Sequence, residues 1–179
     1  MIVFVLGGSR SGKSQLAEQL THRLQQLDPS QPVHYVATAI VDEGDADHRA
    51  RVDVHQARRP PNWNTHECDP HVLAAVVRDL EGIVLIDALG SWLAAHDGVN
   101  ADVDALTDAL CQRHAPTIVV SDEVGLAVHA PTEVGRRFAD ALGACNQAVA
   151  EVADRVLFVA ARRAIELRSF DEISELIVP

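Results

Sequence analysis

The feature that most constrains this chain is a glycine-rich loop near its beginning. Residues 7–14 read GGSRSGKS and directly follow the apolar run at 2–6. This is the pattern G-x-x-x-x-G-K-[ST] in the setting that it requires, with a short strand before it and an amphipathic helix after it. The backbone amides of such a loop point at a phosphate chain, Lys13 reaches the β- and γ-phosphates, and the Ser14 hydroxyl binds Mg²⁺. The loop therefore predicts a nucleoside triphosphate site.

A carboxylate later in the chain completes the predicted nucleotide site. Asp87 follows the apolar run at 83–86, which is the position of a magnesium-binding acid at the carboxyl end of a buried strand. The alternative is that Asp87 caps a helix over 88–95. The residues predicted to bind the nucleotide are Gly7, Gly8, Ser9, Arg10, Ser11, Gly12, Lys13, Ser14 and Asp87, of which Ser14 and Asp87 would hold Mg²⁺.

The composition limits the partners that this chain can have. Its 179 residues suit one domain over 1–179, with the tail 169–179 left open between a terminal helix and a loosely held end. A net charge of −11 disfavours binding to nucleic acid or to an anionic membrane. The three cysteines are scattered, with no C-x-x-C pair, and no stretch reaches about 18 apolar residues. We therefore expect a soluble, cytoplasmic protein with reduced thiols and no segment inserted into a membrane.

Short apolar runs alternate with helical patterns along the chain. The runs, which are typical of parallel strands buried on both faces, lie at 2–6, 33–37, 82–86, 117–120 and 155–159. Apolar residues at helical spacing predict helices over 13–26, 70–80, 102–113 and 132–152. Asp69 and Pro70 are the cap and first residue expected for the second helix. This alternation predicts an α/β fold, with a mostly parallel sheet of the P-loop NTPase (RecA-like) type and helices on both faces.

The polar segment 42–59 carries a second candidate for chemistry. Arg51, His55 and Arg59 follow one another at intervals of four, which places them on one face of a helix. A solvated surface helix is the ordinary interpretation of such a segment. Two guanidinium groups around an imidazole, however, form a poor surface salt-bridge pattern and a good phosphate cradle. They would also disfavour protonation of His55 and keep it nucleophilic near pH 7.

Several motifs together resemble one known family. Besides GGSRSGKS, they are RVDVHQARRPPNWNTHE at 51–67, SDEVG at 121–125, RRFAD at 136–140, NQ at 146–147 and ADRV at 153–156. In this order and spacing they resemble the bifunctional adenosylcobinamide kinase/adenosylcobinamide-phosphate guanylyltransferases of cobalamin biosynthesis. The likeness runs from about residue 1 to about residue 161. Asp122 stands where that family more often has Asn.

The resemblance implies two successive reactions. A nucleoside triphosphate, ATP or GTP, phosphorylates the aminopropanol hydroxyl of adenosylcobinamide. GTP then transfers GMP to a histidine, and adenosylcobinamide phosphate displaces this group to give adenosylcobinamide-GDP, with pyrophosphate released from GTP. The nucleophilic histidine falls on His55, and Lys13 with Mg²⁺ would neutralise charge on the transferred or departing phosphates. The resemblance also implies a corrinoid substrate and a homo-oligomer, most often a trimer.

Further residues are expected to contact the substrate or its phosphate: Arg51, Arg59, Glu67 and Glu123. Glu123 follows the strand at 117–120, so it would lie at the sheet edge where ligands of α/β proteins gather. Its alternative is an ion pair with a nearby arginine. Two other functions also fit the loop: a small-molecule kinase without guanylyltransferase activity, in which His55 is structural, and a nucleotide-dependent sensor without turnover.

Overall fold

The computed structural model describes residues 1–38, 59–126 and 130–177. Within these ranges the strands are β1 (Ile2–Gly7), β2 (Val33–Ala37), β3 (Asn64–Glu67), β4 (Ile83–Asp87), β5 (Thr117–Asp122), β6 (Arg155–Ala160) and β7 (Arg163–Leu167). They form one sheet with the order β3-β2-β4-β5-β1-β6-β7. The pairs from β3 to β6 are parallel, whereas β7 lies antiparallel to β6. The predicted α/β fold with a mostly parallel sheet is confirmed.

Helices cover both faces of the sheet, as predicted. The helices of the described ranges are α1 (Lys13–Leu27), α2 (Leu73–Asp79), α3 (Leu89–Ala94), α4 (Val103–Gln112), α5 (Glu133–Val152) and α6 (Phe170–Ile177), with 3-10 turns at Pro70–Val72 and Asp97–Val99. On one face α1 packs against Val3 and Val5. On the other face the apolar sides of α2, α3, α4 and α5 pack against Phe4, Ile86 and Val119. In the described part of the chain, no helix is long and apolar enough to span a membrane.

The predicted strands and helices are present with small shifts of their ends. All five apolar runs are strands, and α1, α4 and α5 match their predicted helices within one or two residues. Asp69 accepts a hydrogen bond from the amide of His71 at 2.9 Å, as a cap should, but the helix begins as a 3-10 turn and becomes α-helical only at Leu73. In the tail, Ser169 accepts from the amide of Glu172 at 3.2 Å and α6 follows.

The parallel strands bring several polar side chains to one edge of the sheet. Asp122 pairs in register with Gly7, and Ala37 pairs with Glu67 on one side and with Asp87 on the other. These residues end their strands, and parallel strands all end at the same edge. The glycine-rich loop leaves the sheet at this edge, so the predicted phosphate site meets Asp87 and Glu67, the two predicted site residues that end strands there.

A buried arginine ties the opposite edge together. Arg113 is 9% exposed, and its Nε donates to the Thr117 hydroxyl at 2.8 Å. Its two terminal nitrogens donate to the carbonyl oxygens of Val77 at 2.6 Å, of Gly82 at 2.5 Å, and of Leu80. These bonds join the end of α2 to the starts of β4 and β5. Burial lowers the pKa of Arg113. Because a guanidinium has five N–H donors, this one side chain can satisfy all of these carbonyl groups.

Arg113→Ala should destabilise the fold strongly. The substitution leaves buried carbonyl oxygens without donors, so we expect the free energy of unfolding to fall by about 3 kcal/mol. Urea unfolding followed by circular dichroism measures this change. Arg78→Ala removes an exposed arginine that bonds its neighbour Asp79 at 2.9 Å, and should change the same quantity by less than about 0.5 kcal/mol. Equal effects of the two substitutions would contradict the role given to Arg113.

Candidate nucleotide and phosphate-transfer site

The glycine-rich loop has the backbone shape of a phosphate cradle. Gly12, at the N-terminus of α1, has φ +101°, a backbone conformation that is strained for any residue with a side chain. A Cβ on Gly7 would lie 2.6 Å from both the Ser11 hydroxyl oxygen and the Val159 carbonyl oxygen, so only glycine fits at the point where β1 enters the loop. The amide of Ser11 donates to the Gly8 carbonyl at 3.2 Å. The loop thus curls back at the N-terminal end of α1, where a helix attracts anions.

The turn between β6 and β7 supports this loop. This support was not predicted from the sequence. The amide of Arg162 donates to the Ser11 carbonyl at 2.8 Å. A Cβ on Gly12 would lie 3.1 Å from the Arg162 side chain, which therefore covers this glycine. Ala161 and Arg162 both have positive φ, 50° and 59°, as the two-residue turn of an antiparallel hairpin requires. The hairpin therefore fixes the loop from outside.

Lys13 forms an ion pair with Asp122, a residue absent from the predicted site. The distance from Lys13 Nζ to Asp122 Oδ1 is 2.6 Å, and the two side chains are 12% and 35% exposed. Lys13 Nζ also donates to the Gly8 carbonyl at 3.3 Å. A Cβ on Gly90 would lie 2.8 Å from Asp122 Oδ2, so the start of α3 approaches this carboxylate closely. The predicted phosphate-binding lysine is therefore held at the loop by a carboxylate.

A buried amide side chain fixes the end of β5 that carries Asp122. Asn146, which is 7% exposed, donates through Nδ2 to the Asp122 carbonyl at 3.0 Å. Its Oδ1 accepts from the Ser121 hydroxyl at 2.6 Å. These bonds join the backbone of β5 to α5, so the position of Asp122 depends on a helix distant in sequence. This dependence explains why sequence spacing did not reveal the residue.

Asp87 joins the loop to the second strand. Its Oδ1 accepts from the Ser14 hydroxyl at 3.2 Å, and its Oδ2 accepts from the Tyr35 hydroxyl at 2.6 Å. Burial and the neighbouring Asp87 raise the pKa of Tyr35, so this hydroxyl stays a proton donor at neutral pH. Ala88 occupies the N-cap of α3, which has no side-chain cap bond, so the alternative role of Asp87 as a helix cap is wrong. The Ser14–Asp87 contact is the juxtaposition expected for a magnesium site.

Arg59 extends this group of residues. Its guanidinium carbon lies 3.8 Å from the centroid of the Tyr35 ring, a cation–π contact. Its Nε atom is buried and has no hydrogen-bond partner among the residues that the structure describes. A contiguous chain of contacts therefore runs from Arg59 through Tyr35 and Asp87 to Ser14 in the loop.

The remaining predicted residues divide into two groups. Glu67 ends β3 at the same sheet edge and is exposed. The amide of Glu123 donates to the Gly7 carbonyl at 3.1 Å, and its carboxylate accepts from the Gly125 amide at 2.6 Å. The alternative interpretation of Glu123 had predicted an arginine as the partner of this carboxylate. Both therefore lie at this edge, and contacts of theirs with substrate stay predictions. Arg51 and His55 lie outside the described residues.

The donor set of this site suits Mg²⁺. Mg²⁺ prefers oxygen ligands and keeps several waters, so it is usually held by one or two protein groups together with substrate phosphates. The Ser14 hydroxyl and the Asp87 carboxylate supply such oxygens. No group of three or more His, Cys, Asp or Glu side chains that could hold a metal ion occurs in the described ranges. An arrangement completed by phosphate oxygens and water therefore fits these residues better than an all-protein cage.

Comparison with solved structures agrees with the predicted fold type. A KaiC-like protein, PH0186, from Pyrococcus horikoshii OT3 superposes with a TM-score of 0.52 over 88% of this chain and 69% of that one. The sequence identity is 15%, so this likeness concerns the fold alone. It supports the RecA-like P-loop arrangement predicted from the loop and from the alternation of strands with helices.

Sequence relatives are closer and cover most of the chain. The bifunctional adenosylcobalamin biosynthesis protein CobP of Pseudomonas aeruginosa is 37% identical over 166 residues, 88% of this chain and 91% of that protein. The bifunctional adenosylcobalamin biosynthesis protein CobU of Salmonella typhimurium is 30% identical over 191 aligned positions, 94% of this chain and all of that protein. The family model described as cobinamide kinase / cobinamide phosphate guanyltransferase matches residues 3–167. This chain therefore belongs to the cobinamide kinase / cobinamide phosphate guanyltransferase family.

Proposed function

We propose that this protein catalyses both reactions that its family name joins. It phosphorylates the aminopropanol hydroxyl of adenosylcobinamide with ATP or GTP, and it then transfers GMP from GTP to the resulting phosphate through a histidine-bound intermediate. The products of the second reaction are adenosylcobinamide-GDP and pyrophosphate. Both reactions take place in the cytoplasm, a location that agrees with scattered cysteines among which no C-x-x-C pair occurs.

One observation carries the proposal of a shared site. The contacts Arg59–Tyr35–Asp87–Ser14 anchor the C-terminal end of the segment that contains His55 at the phosphate loop. His55 precedes Arg59 by four residues, so their Cα atoms lie within roughly 14 Å of each other whatever the intervening backbone does. This chain-length limit supports the proposal that the nucleophile for GMP transfer acts at the loop proposed to hold the triphosphate.

In the kinase reaction, the corrinoid hydroxyl attacks the γ-phosphorus and releases its proton to solvent as the new O–P bond forms. The bond from the γ-phosphorus to the bridging oxygen breaks, and the nucleoside diphosphate leaves. Lys13 leaves Asp122 and binds the β- and γ-phosphates, where it neutralises the charge that develops in the transition state. Ser14 and Asp87 would hold Mg²⁺, which supplies further charge neutralisation when it is bound. The loop amides orient the phosphate chain for in-line attack.

In the guanylyltransferase reaction, a neutral imidazole nitrogen of His55 attacks the α-phosphorus of GTP, and pyrophosphate leaves. A phosphate oxygen of adenosylcobinamide phosphate then attacks the same phosphorus, breaks the P–N bond and frees the histidine. Lys13 stabilises the departing pyrophosphate. Arg51 and Arg59 hold the α-phosphate or the incoming phosphate, and Glu67 and Glu123 orient the substrate at the same edge.

Incubation with Mg²⁺ and GTP labelled in its α-phosphate tests the covalent step directly. We expect acid-labile, base-stable label on the protein, and its transfer to adenosylcobinamide phosphate when that substrate is added. Parallel assays with adenosylcobinamide and either ATP or GTP test the kinase step. Phosphorylation without protein labelling would reduce the function to that of a small-molecule kinase, and nucleotide binding without either reaction would favour a sensor.

Asp122→Asn tests the ion pair with Lys13. The substitution removes a negative charge beside the phosphate site, so ATP in EDTA should bind about 10-fold more tightly, and ATP with Mg²⁺ should show a smaller gain. Isothermal titration calorimetry measures both affinities. Asp108→Asn, at an exposed position on α4, serves as the matched control. Unchanged or weaker binding in EDTA by the Asp122 variant would show that its carboxylate does not compete with phosphate for Lys13.

We also propose that the chain self-associates and forms a homotrimer, the assembly that its family resemblance implies. The support is an exposed apolar surface on β7 and α6: Ile165 is 61% exposed, Phe170 90%, Leu176 64% and Ile177 72%. An unpaired edge strand next to an exposed apolar helix is typical of an interface. Light scattering should give about three times the 19.4 kDa chain mass, and Ile165→Glu with Phe170→Glu should lower it. A wild-type mass of one chain would overturn this proposal.

A further inference from the structure

A groove lies between α5 and the 3-10 turn Asp97–Val99. Its volume is about 690 Å³, and it is open to solvent along its length. The residues that line it are Asp97, Gly98, Val99, Asn100, Arg137, Asp140 and Ala141. A Cβ on Gly98 would lie 3.5 Å from a terminal nitrogen of Arg137, so the two walls approach each other across the turn.

Both walls of the groove belong to segments that contact Asp122 at the end of β5, beside the phosphate site. The α5 wall is tied to β5 by Asn146, which bonds the Asp122 carbonyl, and the C-terminal end of α5 returns to the start of β1, where the Asp154 amide donates to the Ile2 carbonyl. Asp140 precedes Asn146 by six residues, about 9 Å along the helix, on the carboxyl side of the sheet. The other wall follows α3, whose Gly90 lies against the Asp122 side chain. The groove therefore lies beyond the same sheet edge as Lys13.

The chemistry of the groove disfavours an anion and suits a ligand that is rich in amides. Two carboxylates, Asp97 and Asp140, outweigh one guanidinium, Arg137, so the net charge disfavours a second phosphate chain. Carboxylates accept from amide N–H groups, and a guanidinium donates to amide oxygens. Val99 and Ala141 add apolar surface between these polar groups. A corrinoid carries this combination, an apolar macrocycle with carboxamide side chains around its rim.

The backbone of the turn is also unusual. Val99 has φ +56°, a left-handed conformation that is rare for a β-branched residue, and its amide donates to the His96 carbonyl at 2.9 Å. Strained residues of this kind are concentrated at ligand sites. This strain agrees with a turn shaped for a ligand but does not identify the ligand, which follows from the charges and the position.

We propose that this groove binds the carboxamide-bearing edge of adenosylcobinamide, while the aminopropanol arm reaches the γ-phosphate beside Lys13. This inference rests on the function proposed above. Arg137 donates to amide oxygens of the substrate, and Asp140 accepts from its amide N–H groups. Because the groove is open, it would hold one edge of the macrocycle and leave the rest in solvent.

Arg137→Ala and Asp140→Ala, singly and together, test the groove. The double variant should raise the dissociation constant and the KM for adenosylcobinamide by about 10-fold or more, and should change the KM for ATP by less than about twofold. Equilibrium dialysis and the kinase assay measure these quantities, and thermal unfolding checks the fold. Arg78→Ala is the control arginine. If the wild type binds the corrinoid and the double variant binds it equally well, the groove proposal is wrong and the proposed function stands. If the wild type does not bind the corrinoid, both the groove proposal and the proposed function are wrong.

Discussion

Lys13→Ala should strongly reduce both proposed activities. We expect kcat to fall by about 10²- to 10³-fold in the kinase and in the formation of labelled protein from GTP, because one cation stabilises phosphate charge in both reactions. Lys13 is 12% exposed and pairs with Asp122 at 2.6 Å, so it is held within the loop before nucleotide binds. Initial rates with saturating nucleotide, measured for each reaction separately, test this expectation.

The control for this variant lies on the same helix. Arg23→Ala removes an exposed cation from α1 and should leave both rates within about twofold, since surface substitutions have small effects. Thermal unfolding of Lys13→Ala shows whether the unpaired Asp122 carboxylate disturbs the fold. A loss of kinase activity with an unchanged rate of protein labelling would mean that the two reactions use different phosphate sites, which contradicts the shared cradle.

His55→Ala should separate the two activities. Removal of the nucleophile should reduce label on the protein, and the transfer of GMP, by at least about 10³-fold. Phosphorylation of adenosylcobinamide needs no covalent intermediate and should continue within about threefold of the wild-type rate. The measurement pairs α-labelled GTP incorporation with the kinase assay on the same preparation.

A second histidine provides the control for this experiment. His114→Ala changes an exposed imidazole that follows α4 and should alter neither reaction. Label that persists in His55→Ala would assign the covalent step to another residue. A parallel loss of both reactions in this variant would instead indicate that His55 helps to shape the triphosphate site.

The sequence predicted the centre of the sheet better than its edges. β1, β4 and β5 are buried on both faces, so their sequences are continuous apolar runs. The edge strands β3 and β7 carry no such signal, because β3 is the polar stretch NTHE and every residue of β7 is exposed. In the tail, Ser169 and Glu172 had the spacing of a capping box, a local signal that would have favoured a helix there.

The candidate site shows the same division between local and distant signals. The loop and Asp87 are readable from sequence because a local turn and the end of one strand define them. Asp122, Tyr35 and Asn146 are not readable in this way, since each acts through a partner on another element. Their importance depends on strand order, which puts β5 between β1 and β4.

The glycine-rich loop by itself determined that this chain has a phosphate cradle, because eight consecutive residues contain all the backbone amides and the cation that a triphosphate needs. Family motifs added the expected chemistry and pointed to His55. Only the tertiary structure decided that Lys13 is held by Asp122, that Asp87 bonds both Ser14 and Tyr35, and that Arg59 stacks on that tyrosine. The physical reason is that these contacts join residues far apart in sequence, which the pairing of parallel strands and the loops that follow them bring to one edge of the sheet.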